Sequence, residues 1–263
     1  MNKDIVISLV VPVYGVEKYI AEFARSVFSQ TYPHVQFIFV NDGTKDNSIQ
    51  VLNDVIDNEF PALRDRIVVV DKKNGGLPAA RKTGLEYVTG DYVYHVDPDD
   101  WLTPGSFEAI AATASVTDAD IIFFNYVREY ADRSSIKKEK PYTIQDKAQY
   151  IRNMYNHRAF GTLCNKCVKR SLYLENELYH PKYSYAEDCY LSVQLVGRAK
   201  SLAYLDMDIY HYRKNNPNSI TRQGRKRRKE EYALNFLDLY EKYRNESSVE
   251  NPVAPIFDDI LIQ

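Results

Sequence analysis

"GDYVYHVDPDDW", Gly90–Trp101, changes character halfway along. Tyr92–Val96 is uncharged and reads as a buried strand. Asp97, Asp99 and Asp100 then follow within four positions, stiffened by Pro98. Like charges at a strand end repel one another and desolvate poorly, so the cluster needs a partner of opposite sign or a local structural task. One capping task is already filled, because Thr103 ahead of Pro104 is expected to cap the next helix, "PGSFEAIAATA".

The pattern repeats upstream. Val6–Val13, Val35–Asp42 and Arg66–Asp71 are short apolar runs, each ending in polar residues. Between them Glu17–Gln30, Asn47–Asp57 and Leu77–Val88 carry helical periodicity, the last with Pro78 in its first turn. Strands apolar throughout and separated by helices predict an α/β fold, with a mostly parallel sheet covered on both faces. In such a sheet, ligands sit beyond the carboxyl ends of the strands. Those ends read "PVYG", "NDGTKDN", "DKKNGGLPAAR" and "DPDDW". None is a dinucleotide fingerprint or a phosphate loop. A nucleotide's phosphates would then be neutralised by a divalent cation, Mn²⁺ or Mg²⁺, held on carboxylates such as Asp97 and Asp99.

Composition narrows the field. The 263 residues carry a net charge of −2, which gives no global footprint for nucleic acid. No apolar run reaches the ~20 residues of a membrane span. The apolar run at the N-terminus is too short for a leader and reads as a strand. Three cysteines argue against a disulfide framework and fit a cytoplasmic protein. The pair Cys164 and Cys167 lacks the further ligands a zinc site wants.

The second half is less regular. Ala119–Val127 reads as a strand, Ala131–Tyr142 as a solvated charged loop, and Ile144–Asn156 as a helix. Glu187 and Asp188 precede an apolar helix and follow a tyrosine-rich loop. Acidic groups suit a helix start. They also suit a general base that takes a proton from a hydroxyl nucleophile. In "IYHYRKNNPNSIT", strand alternation puts His211 and Arg213 on one face and Tyr210 and Tyr212 on the other. His211 reads equally as a metal ligand or a packed side chain. Arg222–Lys229 holds six basic residues, a solvated helix start or a peripheral contact with an anionic membrane.

The blocks "SLVVPVYGVEKYI", "FVNDGTKDNS", "NGGLPAARKTGL" and "GDYVYHVDPDDWLTPG", in this order, resemble family 2 glycosyltransferases of the GT-A fold. The resemblance spans roughly residues 5–221, and residues 222–263 form a basic, helical extension. It implies a nucleotide-binding half (1–100), an acceptor half (101–221), a UDP-sugar donor, Mn²⁺ or Mg²⁺, and inversion at the anomeric carbon. By resemblance, Pro12, Val13, Tyr14 and Glu17 surround the base and Asp42 hydrogen-bonds the uracil. Asn74, Gly75, Gly76 and Arg81 face the ribose and diphosphate. Asp97, Pro98 and Asp99 form the D-x-D block, with Asp99 the direct metal ligand. Asp188 matches the base, with Glu187 orienting it or binding sugar, and Arg213 faces the leaving UDP, Lys214 and Ser219 being weaker candidates. Asn41, Pro78 and Lys82 stand where many members carry aspartate, serine and asparagine. The expected acceptor is a glycan or lipid-linked glycan, in bacterial surface polysaccharide synthesis at the inner face of the membrane. Two other readings fit the same carboxylates: a metal-dependent nucleotidyl- or phosphotransferase, and a catalytically silent nucleotide-sugar-binding domain.

Overall fold

The structure is a computed structural model, and it describes residues 4–175, 178–217, 219 and 224–245. Ile220, Thr221, Arg222 and residues 246–263 lie outside the described residues. The chain opens with β1 (Ile7–Val13), α1 (Ile20–Phe28), β2 (Val35–Asn41), α2 (Ser48–Glu59), β3 (Ile67–Asp71), α3 (Leu77–Leu85) and β4 (Tyr92–His95). It continues through β5 (Trp101–Leu102), α4 (Ser106–Thr117), β6 (Ile121–Glu129), β7 (Ser134–Lys137), α5 (Lys147–Tyr155), β8 (Lys166–Lys169) and α6 (Arg170–Leu174). It closes with α7 (Glu187–Arg198), β9 (Leu202–Arg213) and α8 (Arg225–Asn245).

Among the described residues nine strands form one sheet, in the order β3-β2-β1-β4-β8-β6-β9-β5, with β7 paired to β6. From β3 to β4 every pairing is parallel, as the apolar strands and intervening helices predict. Beyond β4 the pairing turns antiparallel at β8, and β6 and β9 run parallel with a bulge near Asn125. Strand alternation divides the apolar side chains between two cores. Leu9, Val11, Phe37 and Phe39 face α1, α2 and α4, while Val10, Ile38, Val40 and Val93 face the other layer. Helix α3 lies close on β1 because residue 84 is glycine. A Cβ there would sit 2.4 Å from Val10 Cγ1.

Several local expectations shift. Helix α1 starts three residues later than its apolar periodicity suggests, because Val16 to Tyr19 form a tight turn first. Helix α3 stops at Leu85 rather than at Val88. Thr103 does not cap α4. Its hydroxyl donates to the Asp208 carbonyl, and Gly105, at φ 78°, takes the N-cap position. The Ser106 amide is satisfied by Gln30 Oε1 instead. The charged stretch after Ala131 contains β7, which pairs in register with β6 from Glu129↔Ser134 to Tyr126↔Lys137. An outer strand with solvated side chains has no apolar pattern to announce it. Cys164 and Cys167 are buried free thiols in the apolar core, as their apolar surroundings suggest. Among the described residues, no helix is long and apolar enough to cross a membrane.

Candidate active site

The carboxyl ends of β1 to β4 open on one side, and their loops are cross-tied. At the end of β1, Pro12 and Val13 are buried and Tyr14 is half exposed. Glu17 accepts hydrogen bonds from the Asn47 amide and side chain, 3.1 Å each, which fixes the loop after β1 against the start of α2. Asp42 is buried, and both of its carboxylate oxygens are engaged. Oδ1 accepts from Lys72 Nζ (2.5 Å) and the Gly75 amide (2.9 Å), and Oδ2 accepts from the Gly76 amide (2.8 Å). Asn74 Nδ2 donates to the Asp42 carbonyl. The loop before α3 is thus folded onto the end of β2. Gly43 (φ 64°) and Gly76 (φ 84°) supply left-handed conformations that other residues adopt at a cost.

The three aspartates after β4 divide their work. Asp100 is buried and structural. Its carboxylate accepts from the Tyr210 hydroxyl and, at 2.7 Å, from the Arg213 amide, which pins the end of β9. Burial, with Asp99 and Asp97 adding repulsion, pushes its pKa well up. Nothing in the spacing of the carboxylates pointed to this task. Asp99 accepts from Asn216 Nδ2 at 2.7 Å, and its carbonyl accepts from Arg213 Nε. Burial raises its pKa against the pull of Asn216. Asp97 accepts from Arg81 Nη2 at 2.9 Å. Burial raises it and Arg81 pulls it back, leaving it at about 6.

Arg81 is the junction. It is 1 % exposed, and α3 delivers its guanidinium between the two halves. Nη1 donates to Glu187 Oε1 at 2.5 Å and to Asp188 Oδ1. Nη2 reaches Asp97. Burial works against the arginine's charge, but Asp188, Asp97 and Glu187 outweigh it and push its pKa further up. One cation therefore faces three carboxylates. Glu187 absorbs part of the excess, since burial and the adjacent Asp188 charge hold its pKa well above the carboxylate range. Asp188 is the more accessible of the pair, its side chain 21 % exposed against 7 % for Glu187. Both begin α7, whose N-cap, Ala186, sits in the left-handed region at φ 63°.

Negative charge still exceeds positive here, and Asp99 adds to it. Among the described residues, no three His, Cys, Asp or Glu side chains converge on a ready-made metal cage. Mn²⁺ and Mg²⁺ do not need one. They are commonly held by one or two carboxylates, with substrate phosphates completing the shell. Asp97 and Asp99 fit that donor set, and an added cation would favour their ionised forms against the burial that lifts their pKa values.

His211 and Arg213 share one face of β9, as alternation predicts. Trp101 stacks on the His211 ring (centroids 5.2 Å, interplanar angle 9°). His211 Nδ1 lies 2.7 Å from Glu129 and Nε2 2.9 Å from Thr103, so both ring nitrogens have protein partners. The Arg213 guanidinium lies over Trp101 and Tyr19 and pairs with Glu22 at 2.6 Å. Sequence reasoning missed Lys72, Asn216 and Tyr210, each of which holds a site aspartate. The lysine after β3 in "DKKNGG" was the one visible signal.

Known proteins bear on this geometry. The chain is 30 % identical over 222 residues to the uncharacterized glycosyltransferase EpsJ of Bacillus subtilis (strain 168), covering 82 % of this chain and 62 % of the relative. It is 26 % identical over 251 residues to the minor teichoic acid biosynthesis protein GgaB of the same organism, covering 90 % of this chain and 27 % of the relative. The chain thus spans less than two thirds of either. A solved structure of S. aureus TarS 1–349 in complex with UDP-GlcNAc superimposes with a TM-score of 0.74 at 19 % identity, over 97 % of this chain and 71 % of that one, which establishes the GT-A fold. The family model described as "Glycosyl transferase family 2" matches residues 8–175, the stretch that holds Asp42, Arg81, Asp97 and Asp99, so the chain belongs to glycosyl transferase family 2.

Proposed function

We propose that the protein is an inverting glycosyltransferase that moves a sugar from a UDP-sugar to a hydroxyl of a glycan or lipid-linked glycan, in the synthesis of a bacterial surface polysaccharide. The observation that carries the reading is the Arg81 junction, which ties the D-x-D carboxylate Asp97 to the acidic pair Glu187 and Asp188. That proximity supports a donor site with a base for the acceptor beside it. The likeness to a UDP-GlcNAc complex supports a UDP-sugar, and the relative named for teichoic acid synthesis supports a surface polymer.

Asp97 and Asp99 would hold Mn²⁺ or Mg²⁺, and such an ion, when bound, supplies Lewis-acid charge at the diphosphate. Asp188 takes the proton of the acceptor hydroxyl as its oxygen attacks the anomeric carbon. The new C–O bond forms as the bond to the β-phosphate oxygen breaks on the opposite face, UDP departs, and configuration inverts. Glu187, buried and biased toward its protonated form, is a poor base and orients Asp188 through Arg81. Arg213, fixed beside the Asp99 carbonyl, adds positive charge near the leaving group. Preorganised charge of this kind is usually the largest contribution to such catalysis. Lys226, Arg227 and Lys229 lie on exposed positions of α8, and we place this helix near the inner membrane surface.

The test is a panel of nucleotide sugars incubated with acceptor glycans, with and without EDTA, scored for nucleotide release and for product anomeric configuration. Metal-dependent UDP release with an inverted product is expected. Release of pyrophosphate, or retention of configuration, would refute the proposal.

A further inference from the structure

Helix α8 lies beyond the family-matched residues, yet it reaches the catalytic turn. Two of its side chains, Glu231 (8 % exposed) and Asn235 (2 % exposed), are buried and spend their hydrogen bonds on the backbone of residues 183–185. Glu231 Oε2 accepts from the Tyr185 amide at 2.9 Å. Asn235 Nδ2 donates to the carbonyls of Tyr183 and Tyr185, 3.0 Å each, and its Oδ1 faces the Tyr183 amide at 3.4 Å. Arg227 fixes Glu231 from the next turn of α8 at 2.7 Å. The segment held this way leads directly into Ala186, whose left-handed backbone is unfavourable for a residue with a side chain. Glu187 and Asp188 follow at once. The other side of the same loop meets the donor half, since a Cβ on Gly76 would sit 3.6 Å from Ser184 Oγ.

We infer that α8 is a strut for the general base: Glu231 and Asn235 are positioning residues that hold the Tyr183–Ala186 turn so that Asp188 meets the acceptor hydroxyl. The inference rests on the assignment of Asp188 as base. Four backbone polar groups of an irregular, partly buried loop need partners. Two side chains from one helix supply them. Arg81 anchors Asp188 from one side and α8 anchors the preceding backbone from the other. A base displaced by about 1 Å can lose a large share of its rate advantage.

The test compares donor binding with transfer in the full chain. Asn235→Ala should lower kcat for transfer by about ten- to a hundredfold, while UDP affinity by calorimetry and KM for the UDP-sugar stay close to wild type. Glu231→Ala should behave likewise. Glu231→Gln, which still offers an oxygen to the Tyr185 amide, should recover most of the rate. Should Asn235→Ala fail to fold, Asn235→Asp decides, because it keeps the acceptor for Tyr183 and loses both donations. Combined with Asp188→Asn, Asn235→Ala should slow transfer no further. Full additivity of the two, a parallel loss of UDP binding, or wild-type kcat in the α8 variants would overturn the inference while leaving the base in place. Near wild-type transfer by Asp188→Asn alone would remove the base assignment and the strut with it.

Discussion

The strands before Trp101 and those after it share one sheet but hold their functional groups by different means. Between Ile7 and His95 the ties run between adjacent loops. Asp42 gathers Lys72, Gly75 and Gly76, and Glu17 gathers Asn47. The core there is aliphatic and aromatic, and close approach of glycine to valine sets the helix on the sheet. After Trp101 polar groups are buried within the structure itself. Lys166, 1 % exposed, donates to the carbonyls of Phe160 and Thr162 (2.7 Å each) and to Asn165 Oδ1 (2.9 Å). Up to His95 the ties join neighbouring strand-end loops, whereas after Trp101 a buried ammonium ties backbone carbonyls in the interior, so different substitutions should break each.

The largest effects belong to the reacting groups. Asp188→Asn keeps the size of the side chain and removes the proton acceptor, and transfer should fall by about 10²–10⁴-fold with UDP affinity nearly intact. Asp99→Ala should do the reverse and abolish the metal-dependent part of UDP binding. Calorimetry in Mn²⁺ and in EDTA, beside a transfer assay, separates the two. If both variants lose binding together, the halves are not the separable donor and acceptor sites drawn here.

A methyl group probes the parallel part of the sheet. Gly84→Ala places a carbon 2.4 Å from Val10 Cγ1 and 3.3 Å from Val40 Cγ2, both valines being buried. A loss of about 1–3 kcal/mol in a denaturant titration is expected. An unchanged midpoint would show that α3 is not seated on β1 as described.

The region after Trp101 should answer to pH. Burial lowers the Lys166 pKa to about 8 from the ordinary lysine value of 10.5. Between those values the unfolded chain binds the proton more tightly than the folded one, so this group's contribution to stability rises as pH rises. Wild type should gain on Lys166→Met by up to about 1 kcal/mol per pH unit from pH 8 toward pH 10. A difference that is flat across that range would mean the ammonium is better solvated than its position implies.

Legibility in the sequence divides along the same line. Residues 7–95 announced their strands and helices because each strand is apolar on both faces and each helix carries an amphipathic period. The D-x-D block was visible because carboxylates at a strand end have few structural excuses. Asp100 did have one, and it depends on Tyr210, 110 residues away, a partner no local pattern reveals. Strand β7 hid behind exposed polar side chains, and Thr103 lost its capping role to a carbonyl on β9. Arg81 appeared as a phosphate-facing cation by family resemblance. In the structure its guanidinium contacts Asp97, Glu187 and Asp188, and the last two lie more than a hundred residues further along the chain.

That pairing also orders events at the ribosome. Glu187 emerges 106 residues after Arg81. The parallel strands β1 to β4 can pair while α7 is still being translated, since chains tend to fold from the N-terminus as they appear. Until then the arginine has only Asp97 among its three carboxylates and cannot be sealed from water without a heavy desolvation penalty. The nascent β1 to β4 layer must therefore stay hydrated around α3, and its burial there waits for the acidic pair. Sealing of Arg81 and the meeting of the D-x-D block with the acidic pair are then a single event, and a chain released before α7 would carry the strand-end loops without it.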